Sequence, residues 1–314
     1  MKVLSLLFAV LFSGTLAAQG FPSKTVRLVS GVTPGSASDT MARILAEKLS
    51  VSLGQPVIVE NRLGAGGFVG AKYVATAEPD GHTIMMYASA FTVSTLLHPG
   101  LDPKDLAPVA TVATIPTVLV TAPDKGYKSV ADFVARAKAN PGKVVCTTAG
   151  VGSATHMNLE RFRFAAGIEV LNVHMKGAPD ALTEVVAGRA DCYFALSFQA
   201  LKMRDAGKVT ALAVGSPKRS AMFPDLPTTV ELGYAGSDYN FWIGALVSAK
   251  TPREIVERLH REINTLVQSA EISGRIRKLG ADPLSLTLAE FDAMIASELE
   301  SNARLIKRAG IAAN

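Results

Sequence analysis

Ser153 and His156 lie one helical turn apart, a spacing at which a hydroxyl and an imidazole can serve as nucleophile and base. No acidic orienter for the imidazole is evident, and catalysis needs a supported base beside an oxyanion site, so the pair reads as ligand-contacting or loop-fixing, with helix capping as the alternative. His156 and Glu160 stand at i, i+4, which can hold a metal, but a third and a fourth ligand are missing nearby. His82, His98, His174 and His260 are scattered, and no HExxH motif occurs. Gly64-Ala65-Gly66 with Gly70 imitates a dinucleotide fingerprint. Asn61-Arg62-Leu63 intervenes after the strand signal and no acidic residue follows at the ribose distance, so a tight turn is the better reading. No catalytic group, no cofactor and no metal is expected.

Two loops carry different chemistry. Gly31 to Ser38 (GVTPGSAS) and Ala149 to Ser153 (AGVGS) each follow an apolar strand signal and precede a helix signal. Such a loop offers backbone N–H groups at a helix N-terminus, where orphan donors and the helix dipole favour an anion. Thr33, Ser36 and Ser38 add hydroxyl donors without net charge. Asp39 is the first-turn acid of the first helix. It complements the dipole by about 0.3–1 kcal/mol, and it would repel an anionic ligand that touched it. Two such cradles, facing each other from two lobes, would grip a carboxylate from both sides.

The elements that must hold these loops alternate between strand and helix, the mark of an α/β protein. Strands are expected at Val26–Ser30, Val57–Glu60, Thr83–Tyr87, Val144–Thr148, Val170–His174, Cys192–Leu196 and Val209–Val214. A helix is expected from about Asp39, with Met41, Ile44, Leu45, Leu49 and Leu53 at helical spacing and Gly54 as its stop. A short helix runs through Tyr73 and Val74, a small polar loop spans Ala88–Ala90, and a helix runs from Ala154 to Ala165. Pro179 opens another helix that Gly188 ends. Thr251-Pro252-Arg253-Glu254 and Thr287-Leu288-Ala289-Glu290 both have the form of a capping box.

The chain has 314 residues, 48% of them hydrophobic and 19% charged, which suits more than one lobe with a real core. Lys2, the apolar run Val3 to Phe12, and small residues at Thr15, Ala17, Ala18 and Gly20 read as a secretory signal over residues 1–20. No Cys follows it, so a lipid anchor is not supported, and a periplasmic location is expected. The formal net charge of +5 is spread over exposed helix faces, so no nucleic-acid partner is expected. Cys146 and Cys192 sit in strand-like runs without metal-site spacing. Two buried thiols are the default reading. An oxidising compartment permits a disulfide, and the Cα separation decides.

Ordered blocks over nearly the whole mature chain carry a resemblance. Among them are Phe21-Pro22-Ser23-Lys24, Pro34-Gly35 with Asp39, Leu53-Gly54-Gln55-Pro56-Val57, Val59-Glu60-Asn61-Arg62 and Gly64-Ala65-Gly66-Gly67. Pro79-Asp80-Gly81-His82-Thr83, Gly152-Ser153 with Thr155-His156, Lys176-Gly177-Ala178-Pro179 and Pro224-Asp225-Leu226-Pro227-Thr228 continue the series. With these blocks the chain resembles the Bug (Bordetella uptake gene) family, the TctC-like solute-binding receptors of tripartite tricarboxylate transporters.

The resemblance implies a two-lobed, type II-like periplasmic-binding-protein fold (a Venus flytrap) with a hinge and an interlobe cleft. Crossings are expected near Ile115 and Phe241, giving one lobe from residues 21–115 with 243–314 and another from 116–242. The implied function is capture of a small organic carboxylate, di- or tricarboxylate or aromatic, for membrane subunits of a transporter, by a protein that is a monomer and not an enzyme. A ligand-sensing receptor without transport partners, and a secreted serine hydrolase, are the alternatives. Carried onto this chain, the ligand loops are Thr33, Pro34, Gly35, Ser36, Ala37, Ser38 and Asp39, and Gly150, Gly152, Ser153, Thr155 and His156. Ser89, Ala90, Lys176 and Ala195 complete the expected site. Val32 replaces a usual aromatic, Ser36 replaces a usual Gly, and Phe194-Ala195 lacks a usual Asp; the smaller Val32 and the uncharged Ala195 suggest a roomier, more apolar cleft. Phe241 and Trp242 are expected to pack the hinge.

Overall fold

The structure is a computed structural model that describes residues 20–312. The expected signal segment falls outside these residues, apart from Gly20. Among the described residues no helix is long and apolar enough to cross a membrane.

The chain forms two sheets in turn. The first receives β1 (Val26–Ser30), β2 (Val57–Asn61), β3 (Thr83–Ala88) and β4 (Leu106–Thr114). Interspersed are α1 (Ala37–Leu53), α2 (Phe68–Ala75) and α3 (Ala90–Leu97). The chain then crosses to the second sheet, built from β5 (Thr117–Thr121), β6 (Val145–Thr148), β7 (Leu171–His174), β8 (Cys192–Leu196) and β9 (Thr210–Val214). Its helices are α4 (Val130–Ala139), α5 (Ala154–Ala166), α6 (Ala178–Val186) and α7 (Ser197–Asp205). A return crossing leads to β10 (Trp242–Ser248), α8 (Arg253–Gln268), α9 (Ala270–Lys278), β11 (Asp282–Pro283) and α10 (Leu288–Ala309), which belong with the first sheet.

The first sheet has the order β11-β4-β10-β3-β1-β2, the second β7-β6-β8-β5-β9. In each, a parallel trio is extended by antiparallel strands. The two crossings run side by side: the Ile115 amide donates to the Phe241 carbonyl at 2.8 Å, and the Thr114 hydroxyl donates to the same oxygen at 3.2 Å.

Both faces of each sheet are covered by helices, so the central strands are apolar on both sides. Along β3, Ile84, Met86 and Ala88 point into a cluster with α1, α8 and α9, while Met85 and Tyr87 point into another with α2, α3 and α10. The two-residue period of a strand makes this division. The second sheet packs α4 and α5 on one face and α6 and α7 on the other. The apolar residues Met41, Ile44, Leu45, Leu49 and Leu53 do lie on the buried side of α1, which ends at Gly54 in the left-handed conformation, φ 68°. A fifth apolar cluster, Val93, Ala154, Met157, Tyr239 and Leu305, joins α3, α5 and α10 between the two sheets.

Three readings of the sequence are corrected. Cys146 and Cys192 are not two thiols: they form a disulfide across paired parallel strands, with Cα atoms 4.6 Å apart. The Thr251 capping box does not form, because the chain is still extended at Pro252 (ψ 137°), which itself caps α8. The Thr287 box does form, with Thr287 Oγ1 accepting from the Glu290 amide at 3.2 Å and Glu290 Oε2 accepting from the Thr287 amide at 2.8 Å. The residues after β3 are a helix, α3, and not only a small polar loop.

Candidate functional site

Two helix N-termini meet at one cavity of about 400 Å³. At α1, Ser36 is the N-cap and its hydroxyl accepts from the Asp39 amide. At α5, Ser153 is the N-cap and its hydroxyl accepts from the His156 amide at 3.3 Å. The amides of Thr40 and Met157 reach the N-cap carbonyls. Those of Ala37, Ser38, Ala154 and Thr155 have no carbonyl a turn behind them, and all four residues line the cavity. The site therefore presents four unclaimed backbone donors, two from each sheet's helix, with both dipoles adding positive potential.

The loops are held from behind. Asp39 is fully buried; its carboxylate accepts from the Gly35 amide at 2.8 Å, from Arg43 Nε at 2.9 Å and from Asn61 Nδ2 at 2.8 Å. Burial opposes its ionisation, but the Arg43 guanidinium, the Gly35 amide and Asn61 outweigh burial and hold the carboxyl below its ordinary range. In the second loop, Thr155 Oγ1 accepts from the Ala149 amide at 2.9 Å, and His156 Nδ1 accepts from the Gly152 amide at 3.0 Å. That bond assigns the ring proton to Nε2, on the Glu160 side, where Oε1 lies 3.8 Å away. Burial, with His174 and Arg163 close by, pushes the His156 imidazole down to about 3, so it stays neutral. The Ser153 hydroxyl faces Thr155 and the His156 amide, and the imidazole takes the Gly152 amide instead, so no nucleophile–base pair is formed.

Of the residues expected in the site, Ser36, Ala37, Ser38, Ala90, Gly152, Ser153 and Thr155 line this cavity together. Thr33, Pro34 and Gly35 form the exposed turn ahead of α1. Asp39 and His156 brace the loops from behind. Ser89 is buried where β3 ends, its amide donating to the Trp242 carbonyl at 3.0 Å. Gly150 shapes the second loop at φ 118°, Lys176 is exposed, and Ala195 is sealed in the second sheet's core. His156 instead faces a second hollow of about 620 Å³, which it shares with Glu160, Arg163 and His174 beyond the loop.

Ala65, Gly66, Ser94, Leu97 and His98 also line the cleft and were not expected there. Ala90, Val93, Ser94 and Leu97 share one face of α3, a grouping that appears only once the segment is known to be helical. Val32 and Phe241 line the cavity as well, whereas Trp242 is buried edge-on against Phe291 and donates from Nε1 to Glu298 at 2.9 Å.

Two α/β lobes joined by paired crossings, with a ligand-sized cleft between them, define a solute-binding protein of the periplasmic type. Solved structures share the fold. R. palustris Rpa4515 with adipate superposes with a TM-score of 0.80 at 29% identity, over 93% of this chain and 99% of that one. MatC (Rpa3494) from Rhodopseudomonas palustris with bound malate gives 0.77 at 26% identity, over 91% and 100%. Protein BugT of Bordetella pertussis is 32% identical over 300 residues, 94% of this chain and 92% of the relative. Residues 41–311 match the Tripartite tricarboxylate transporter family receptor, TctC, and the chain belongs to that family. Family and fold are those of solute-binding proteins, not enzymes.

Proposed function

We propose that this protein captures a small organic carboxylate in the periplasm and presents it to the membrane subunits of a tripartite tricarboxylate transporter. Residues 21–115 with 243–314 form one lobe and 116–242 the other, closing about the crossings at Ile115 and Phe241. The observation that carries this reading is the set of four unclaimed amides, Ala37, Ser38, Ala154 and Thr155, around one cavity. Charge-neutral main-chain donors of this kind bind an anion without attacking it. That Rpa4515 holds adipate and MatC holds malate supports a carboxylate here.

A thermal-shift screen over mono-, di- and tricarboxylates and aromatic acids tests the capture. A ligand at a hundredfold over its Kd stabilises the folded state by about 2.7 kcal/mol, a clear rise in Tm. An unchanged Tm across the whole panel overturns the carboxylate reading. Uptake of the ligand by a strain lacking this protein tests delivery, since undiminished uptake removes the transporter role.

A further inference from the structure

Among the described residues lining the cleft there is no Arg, Lys, Asp or Glu; His98 is the one ionisable side chain. The wall that leads to it is one face of α3. This helix starts at the crossing, where Ser89 bonds to Trp242, and shows the cleft Ala90, Val93, Ser94 and Leu97 in succession. His98 closes the row, about 12 Å along the axis from Ala90 at about 1.5 Å per residue. The His98 ring is tilted against Phe68 with centroids 5.5 Å apart. Val32 and Phe241 add apolar surface to the lining, Phe241 packing into the same apolar cluster as Val93 and Leu97 of α3. Gly152 closes against the same helix face, since a Cβ there would lie 3.1 Å from Val93 Cγ1 and 3.2 Å from Leu97 Cδ1.

A carboxylate on the four amides thus leaves its body between apolar walls, with one imidazole available to a polar far end. A second carboxylate inside this space would lose water without meeting a fixed cation, which is strongly unfavourable. An uncharged hydroxyl or carbonyl needs only a single hydrogen-bond partner, which an imidazole ring nitrogen can supply. We propose that the ligand is a monocarboxylate with an apolar, ring-sized body and an uncharged oxygen at its far end, and that His98 sets this preference by hydrogen-bonding that oxygen. The proposal rests on the carboxylate reading above and names the class of acid within it.

Isothermal titration of the full mature chain with 4-hydroxybenzoate, benzoate, adipate and malate tests it, in the natural protein and in His98→Ala and His98→Asn. The natural protein binds 4-hydroxybenzoate roughly tenfold tighter than benzoate, the usual worth of one good hydrogen bond, and tighter than either dicarboxylate. His98→Ala removes that advantage and leaves benzoate affinity within about twofold, while His98→Asn restores part of the advantage. Tighter binding of adipate or malate than of 4-hydroxybenzoate overturns the inference. So does an equal loss of both aromatic acids in His98→Ala, which would mean that the residue only supports the wall. Benzoate bound without preference for the hydroxyl sinks the His98 inference alone, whereas no binding of any of the four acids sinks the carboxylate reading with it.

Discussion

Replacing Glu298 by Gln should change how the protein's stability depends on pH. Glu298 lies on α10 with its carboxyl drawn in beneath Trp242, whose Nε1 donates to both oxygens at 3.0 and 2.9 Å; the Thr92 hydroxyl donates to Oε2 at 3.4 Å. Burial pushes the carboxyl up to about 7, against the opposing pull of Trp242, Arg161 and Thr92. The folded chain therefore holds this proton more tightly than the unfolded chain, whose carboxyl titrates near 4.5. Below that value both states are protonated and the group is silent. Between it and about pH 7 unfolding releases a proton, so stability falls as pH rises; above that the loss is complete. At about 1.36 kcal/mol per unit, and allowing for water at the edge of the site, the loss is roughly 2–3 kcal/mol. The amide of the Glu298→Gln variant would keep the shape and an acceptor for the indole but could not ionise, so its stability profile should lack this decline. Trp242 is the single tryptophan, so its fluorescence follows both urea unfolding at each pH and the local titration of the native state. Parallel stability profiles for the two proteins from pH 5 to 8, with no native fluorescence change near pH 7, would refute the reasoning.

Gly152→Ala should weaken carboxylate binding roughly tenfold and also lower Tm by a few degrees, because the backbone strain is present with and without ligand. Its φ of 72° costs an L-residue about 1–2 kcal/mol, and the new methyl would press on Val93 and Leu97 of the facing lobe. Titration calorimetry that finds unaltered affinity would rule this out. Reduction of the Cys146–Cys192 bridge, which joins residues 46 apart in sequence, should destabilise the chain by about 4 kcal/mol on the loop-entropy model. Melting curves with and without dithiothreitol measure this, and a Cys146→Ser/Cys192→Ser double variant should match the reduced protein.

The cradles were legible because a hydroxyl followed by a helical period is a local signal: Ser36 and Ser153 each cap a helix within three residues of themselves. Strands such as Cys192–Leu196 were legible for the same reason, as uniform apolar runs between breakers. Helix α3 was not. Its sequence, AFTVSTLL, mixes β-branched and aromatic residues and faces apolar neighbours on more than one side, so no clean polar face marks the period. His98 and Gly66 reach the cleft only because α3 and the turn before α2 pack together, a tertiary fact without a local trace. For His156 the sequence left two roles open, ligand contact and loop fixing, because residue type alone does not say which way the ring points. Its imidazole lies behind the loop, and only the paired geometry with the Gly152 amide reveals the bracing role. The disulfide depends on register: Cys146 pairs with Cys192 across β6 and β8, and spacing along the chain does not encode that neighbour.

The anion grip proposed for the amides of Ala37, Ser38, Ala154 and Thr155 has a consequence for how this protein can change over time. Side-chain replacement leaves a peptide N–H in place, so an alanine scan would pass over the anchor almost unnoticed, and two of the four positions are alanine already. Inherited variation at the walls can then retune which acid fits while the hold on its charged end persists.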